Sequence, residues 1–161
     1  MARTDNETRI TPSILDRLLD FAPDISREPS ASRAKSLRDL KQSVRRDLEW
    51  LLNTRNHSDE IVNQLEEVSK SIAVYGLSDF TGTGVKNPGE QKKLVQSLET
   101  AIRIFEPRLM NLRVSLEPID EIKRVLRFKI EARLKVDPVP EPVTFDTVLQ
   151  MGSGQFEVME K

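Results

Sequence analysis

The sequence predicts an α+β protein in which N-terminal helices pack on a small antiparallel C-terminal β-sheet. Apolar residues recur at three- and four-residue steps through 37–52, which is the spacing of a helix with one buried face that stops near Asn53. A second helical stretch, 88–105, ends just before Pro107. Beyond it, apolar and polar residues alternate, as in strands with one buried face. Helices followed by strands are typical of the α+β class.

Residues 1–31 are predicted to be a flexible N-terminal segment that carries one short helix at 13–20. Ser13 is a helix-capping residue type, and isoleucine and leucines form one apolar stripe on the helix. Because a helix this short is unstable alone, we expect the stripe to dock, either on the same domain or on a partner. Residues 32–161 are predicted to form a single α+β domain of ordinary size.

The last predicted helix has the clearest boundaries in the sequence. Asn87 can accept hydrogen bonds from the first turn, and Pro88 takes the first helical position, where its missing N–H has no cost. Glu90 is placed to complete a capping box. Pro107 ends the helix because it disfavours the α conformation at Glu106.

Alternating residues predict four strands, at 112–116, 126–135, 143–149 and 156–158, with the proline-rich 137–142 as an extended connection. The C-terminal hairpin resembles a sheet edge that another chain could extend by main-chain pairing. The alternative is a hairpin contained within the domain's own sheet. The strand expected to pair with another chain comprises Val143, Thr144, Phe145, Asp146 and Thr147.

Charge is unevenly distributed, although the net charge is −1. Residues 27–55 contain eight basic and four acidic side chains, whereas 137–161 contain one basic and five acidic side chains. This division suits head-to-tail assembly of subunits, and the alternative is two ordinary solvated faces. The near-neutral total gives no general attraction to nucleic acid, so no nucleic-acid partner is expected.

Several kinds of site are disfavoured by composition. The absence of cysteine excludes disulfides, a thiolate nucleophile and a cysteine-based zinc site. The single histidine, His57, lies in a turn-rich stretch and is expected to be solvated, and the glycines at 82–84 lack phosphate-loop spacing. We therefore expect no cofactor. No apolar segment reaches the roughly 20 residues that span a bilayer, and no signal sequence is evident, so a cytoplasmic location is expected.

The tripeptide Glu106-Pro107-Arg108 joins the last predicted helix to the first strand. A proline between a carboxylate and a guanidinium fixes their backbone geometry, which favours charge-assisted hydrogen bonds. Arg55 also follows a helix end and is a candidate further member of this group. Two roles remain open for these residues: contact with a partner protein, or an internal brace for the fold.

Five sequence blocks, in order, resemble the TssE family of type VI secretion baseplate subunits and, more broadly, the phage baseplate wedge proteins that initiate a contractile sheath. The resemblance implies a structural subunit that contacts the wedge proteins TssF and TssG, with TssK as a further candidate. It also implies a position beneath the first TssB–TssC sheath ring, at the inner face of the cell envelope, where strands are shared between subunits. The blocks are 13–18, 44–55, 75–80, 105–109 and 145–147.

The rival function is glycoside hydrolysis, because this family is often labelled lysozyme-like. That chemistry needs two carboxylates roughly 5–10 Å apart across a cleft. Glu106 could be one member, with Asp79 or Glu117 as the second. Few aromatic residues are available to stack on sugars, so the sequence favours a structural component and not an enzyme.

Overall fold

The computed structural model describes residues 10–19, 23–24, 32–56, 65–79, 87–117 and 125–160. Its helices precede a four-stranded antiparallel sheet, so the predicted α+β fold is confirmed. Two short 3-10 turns, Val68–Lys70 and Ile72–Val74, lie between the second and third helices. The helices and strands are α1 (Ile14–Leu18), α2 (Arg33–Asn53), α3 (Pro88–Phe105), β1 (Leu109–Leu116), β2 (Val125–Leu134), β3 (Glu141–Gln150) and β4 (Phe156–Glu160).

The helix boundaries follow from their capping residues. Asn87 accepts a hydrogen bond from the backbone N–H of Gly89 at 2.9 Å, which caps α3 as predicted. The Glu90 carboxylate, expected to complete a capping box, lies 2.9 Å from Lys93. At the other end, Glu106 leaves the helical region with φ −124° and ψ 70°, immediately before Pro107.

The short helix α1 begins where it was predicted to begin, but its apolar stripe remains largely exposed. Ser13 caps it by accepting from the N–H of Asp16. Ile14 and Leu18 are 78% and 76% exposed, so these two side chains do not attach α1 to the described part of the domain. The predicted end at Asp20, and most of the predicted flexible segment, lie outside the described residues.

The sheet is a meander with the strand order β1-β2-β3-β4. Alternate residues of each strand face α2 and α3 and form a single core, as the sequence alternation predicts. β3 starts earlier than expected, because Pro142 already lies opposite Arg133 of β2. Core residues that are at most 2% exposed include Val44, Leu48, Leu52, Leu94, Leu98, Ile102, Leu126, Phe128, Ile130, Phe145 and Val158.

The chain that follows α2 is held against the helix end by a close backbone approach at Gly76. Thr54 accepts from the N–H of Leu77 at 2.9 Å, and Arg55 forms a parallel bridge with Leu77. Gly76 has φ +109°, and a Cβ atom placed on it would lie 2.5 Å from the carbonyl oxygen of Thr54. Only glycine fits this position without displacing the backbone.

We predict that Gly76→Ala lowers the free energy of unfolding by about 2–4 kcal/mol, because a strained φ and a backbone clash occur together. The matched control is Gly152→Ala, whose added Cβ would meet no atom within 4 Å. Chemical denaturation of both variants provides the measurement. Equal stability of the two variants would contradict the prediction.

Candidate functional site: the charged corner and the sheet edges

The tripeptide Glu106-Pro107-Arg108 forms a tight charged turn between α3 and β1. Arg108 donates from Nε to Glu106 Oε1 at 2.5 Å and from Nη2 to Glu106 Oε2, so both carboxylate oxygens are engaged by one guanidinium. Glu106 is only 4% exposed. The predicted carboxylate–guanidinium interaction is therefore present, and its acidic member is buried.

Arg108 also connects this turn to α2. Its Nη2 donates to Asp47 Oδ2 at 2.6 Å, and its Nη1 donates to Ser43 Oγ at 3.2 Å. Burial alone would lower the pKa of Arg108, but the hydrogen bonds and negative charges of Glu106 and Asp47 outweigh it and raise that pKa. The guanidinium consequently stays charged and holds two helices and a strand together.

A second arginine attaches α1 to the same group. Arg46 contacts Asp16 and Asp47, each at 2.9 Å, and the hydroxyl of Ser43 donates to Asp16 at 2.6 Å. Burial alone would raise the pKa of Asp16, but hydrogen bonds from Ser13, Ser43 and Arg46 hold it below its usual value. We call the group Asp16, Ser43, Arg46, Asp47, Glu106 and Arg108 the arginine cluster.

Sequence reasoning identified two members of the arginine cluster and missed the other four. Ser43 and Asp47 lie one turn apart on α2, so they share a helix face, and this spacing was the available signal. Arg55 does not join the cluster in the structure. Its guanidinium donates to the carbonyls of Leu52, at 3.0 Å, and Gly154, so it links the end of α2 to the turn before β4.

An open groove of about 380 Å³ lies beside the arginine cluster. Trp50, on its rim, is 51% exposed, and the guanidinium of Arg46 lies 5.0 Å from the centre of the indole ring. Tyr75 packs edge-on against Phe105 with ring centres 5.1 Å apart. We call this the corner groove, and its lining includes Leu15, Trp50, Tyr75, Phe105, Pro107 and Arg108.

The strand predicted to pair with another chain lies inside the sheet. β3 pairs with β2 along its whole length, and its residues Phe145–Leu149 also pair with β4. The turn after β3 allows β4 to fold back and occupy that side. Of the predicted residues, Phe145, Asp146 and Thr147 are therefore paired on both sides, whereas Val143 and Thr144 pair with β2 and extend beyond the described end of β4; the two outer strands of the described sheet are β1 and β4. The residues concerned are Val143, Thr144, Phe145, Asp146 and Thr147.

The outer edge of β4 is contacted by side chains from α2. The backbone N–H of Gln150 donates to the carbonyl of Gln155, so the backbone groups of Gln155 face β3. Because successive residues of a strand point their N–H and C=O groups to opposite sides, those of Phe156 and Val158 face away from β3, towards the outer edge. The N–H of Phe156 donates to Asn53 Oδ1 at 2.8 Å, and its carbonyl accepts from Asn53 Nδ2 at 2.9 Å. The carbonyl of Val158 accepts from Arg45 at 3.0 Å.

Among the described residues, α3 supplies a comparable contact at the outer edge of β1. The backbone N–H of Val114 donates to Glu99 of α3 at 3.0 Å. A register shift between Met110 and Arg113, with Asn111 at φ 52°, forms a bulge near the start of this strand. Bulges of this kind disrupt regular pairing at sheet edges.

A sequence profile of the family described as baseplate wedge protein gp25 matches residues 38–139. The chain belongs to this family. The family is that of TssE, so the resemblance drawn from the sequence blocks is confirmed. The matched residues include the Glu106-Pro107-Arg108 turn and Arg55, whereas β3 and β4 lie beyond them. A search of curated proteins found no match.

The gp25 family is structural, and the geometry around Glu106 does not suit the predicted hydrolase pairing with Glu117. These two residues flank β1, an eight-residue strand that spans about 26 Å. Inverting and retaining glycosidases hold their carboxylates roughly 5–10 Å apart. Glu106 and Glu117 are thus too distant to act together, and Arg108 occupies both oxygens of Glu106.

Two further findings concern only the described part of this gp25-family chain. None of its helices is long and apolar enough to cross a membrane. It also contains no group of three or more His, Asp or Glu side chains placed to hold a metal ion. His57 lies outside the described residues.

We predict that Glu106→Gln lowers the free energy of unfolding by about 3 kcal/mol, because the partly buried Arg108 loses the charged partner that engages it through two hydrogen bonds. Glu67→Gln, at an exposed site, should change it by less than about 0.5 kcal/mol. Denaturant titration measures both. A Glu106→Gln protein with unchanged stability that no longer binds wedge partners would instead assign this residue to an interface.

The attachment of α1 should depend on pH through Asp16. Its pKa in the folded protein lies below the ordinary 3.8, so the docked helix is favoured above that pH and released as the pH falls through the lower value. We expect the amide NMR signals of 13–18 to move together below about pH 4. Asp16→Asn should release α1 at neutral pH, whereas Asp39→Asn, at an exposed site, should not.

Proposed function

We propose that this protein is a structural baseplate component of a type VI secretion system that binds wedge subunits and primes assembly of the contractile sheath. The observation that carries the proposal is the rigid α3–β1 turn, which lies within the family match and borders an open aromatic groove. A brace of charged hydrogen bonds fixes the shape of this groove before any partner arrives. Preorganised surfaces of this kind lose little entropy on binding.

The proposed wedge partners are TssF and TssG, with TssK as a further candidate. Glu106 acts as an internal brace, because it is buried and both its oxygens are engaged by Arg108. The partner contact is made by the groove beside it, where Trp50 and Pro107 are available. Exposed tryptophan at a concave surface is a frequent anchor of protein interfaces.

Sheath priming uses the C-terminal part of the sheet. Among the described strands, an outer strand can offer backbone groups to TssB–TssC, whereas the inner strand β3 has already used most of its own. We therefore assign the pairing role to β4 in place of Val143–Thr147. The subunit would act on the cytoplasmic side of the cell envelope, without a cofactor or nucleic acid.

Glycoside hydrolysis remains the alternative suggested by the label lysozyme-like. It would require Glu106 to leave Arg108 and to act with a second carboxylate, and Asp47, which shares the Arg108 guanidinium with Glu106, is itself bound to Arg108 and Arg46. Peptidoglycan turnover by the purified protein that disappears in Glu106→Gln would replace the structural proposal with the enzymatic one.

The wedge contact is tested by removing the groove's most exposed aromatic side chain. We expect Trp50→Ala to weaken binding to a co-purified TssF–TssG complex about 10- to 30-fold while the protein stays folded. The control is Val139→Ala, which removes a side chain that is 65% exposed and does not line the groove. Equal binding by both variants would place the wedge contact elsewhere on the surface.

A further inference from the structure

One face of α2 lies along the outer edge of β4. Lys41, Arg45, Glu49 and Asn53 recur every four residues, so they form a single stripe down the helix. Lys41 lies 3.7 Å from Glu160, and the two residues farther along the stripe, Arg45 and Asn53, contact successive outward-facing backbone groups of β4. We call these four residues the α2 stripe.

Asn53 takes the place of a paired strand residue. Its side-chain amide accepts from the N–H and donates to the carbonyl of the same residue, Phe156. A neighbouring antiparallel strand makes this pair of hydrogen bonds with its own backbone. The outward-facing groups of Phe156 are thus satisfied in the free subunit by a group that is not part of any strand.

Both contacting side chains have a second partner on α2 itself. Asn53 Nδ2 also donates to the carbonyl of Glu49 at 2.9 Å, and Arg45 lies 3.6 Å from the Glu49 carboxylate. If the contacts with β4 were broken, neither side chain would become an unpaired buried group. α2 would keep its position, because Leu48 and Leu52, which lie beside the stripe on the core-facing side of the helix, are fully buried.

We propose that the α2 stripe is a displaceable cover over a strand-accepting edge, and that an extended segment of a sheath subunit replaces Asn53 and Arg45 on β4. This inference rests on the proposed sheath-priming function and specifies how that site is regulated. An open polar groove of about 690 Å³ lies at the Phe156 end of this edge, beside the turn that precedes β4, and gives an incoming segment a point of entry. Its lining includes Glu49, Asn53, Arg55, Gln155, Phe156 and Glu157.

Replacement of the α2 side chains by a partner strand explains why β4 would pair with a specific partner and not with any exposed strand. An incoming strand replaces the two bonds from Asn53 to Phe156 and the bond from Arg45 to the Val158 carbonyl, so these three exchanges add little net free energy. Chance pairing between free subunits is therefore suppressed, and lasting pairing requires further contacts that a specific partner brings. β4 is better suited to this exchange than β1, because its five residues pair in regular register whereas β1 carries the bulge at Asn111.

The test measures binding of the full chain to purified TssB–TssC complex. Asn53→Ala removes the competing amide, so we expect about 5-fold tighter binding. Glu99→Ala is the matched control, because it removes the equivalent contact from the edge of β1. Tighter binding by Glu99→Ala, or no change in Asn53→Ala, would overturn the proposed cover while the priming function stands.

Hydrogen exchange on the wild-type chain gives a second readout that needs no substitution. Adding TssB–TssC should increase protection of the outward-facing amide of Val158, while the amide of Phe156, already bonded to Asn53, changes less. Unchanged protection at Val158 despite binding would overturn pairing at β4. If the wild-type chain neither binds TssB–TssC nor nucleates its assembly, the priming function itself is overturned.

Discussion

The fold depends on one guanidinium. Arg108 neutralises the buried Glu106, binds Asp47 of α2 and donates to Ser43, which in turn holds Asp16 of α1. A carboxylate buried to this extent is tolerated only when its charge is matched and its oxygens are hydrogen-bonded. The tripeptide around Pro107 therefore helps to determine how the helices sit on the sheet.

This arrangement suits a component of an assembly. The sheet packs one face on α2 and α3 and has two outer strands, β1 and β4. The same helices supply polar side chains that contact these strands: Glu99 of α3 contacts β1, and Asn53 of α2 contacts β4. An isolated domain with unprotected edges risks aggregation. Here the protection comes from side chains, which can rotate away without unfolding the helix that carries them.

Some of the basic residues of the N-terminal half and acidic residues of the C-terminal part contact each other within the subunit. Basic residues of α2 face the acidic C-terminal strand, as the contacts of Lys41 with Glu160 and of Arg45 with Val158 show. Less of that complementarity is available for attracting neighbouring subunits than the sequence suggests. Specificity between subunits then rests more on shape and on backbone pairing.

The sequence by itself determined the elements of the fold. Helical periodicity, the Asn87-Pro88 start, the stop at Pro107 and strand alternation are local patterns that depend on neighbouring residues, and each was recovered in the structure. The alternation of buried residues also located the core. The Glu106–Arg108 interaction was predictable for the same reason, because only one residue separates its two members.

Only the tertiary structure decided which distant residues meet. Periodicity does not indicate whether a strand is inner or outer, and Phe145, Asp146 and Thr147 are paired on both sides because β4 folds back beside them. Arg55 was grouped with Glu106 because both follow helix ends, but its partner Gly154 is set by how β4 docks on α2. The contacts of Asp16 and Asn53 likewise arise from long-range packing, which no local sequence pattern encodes.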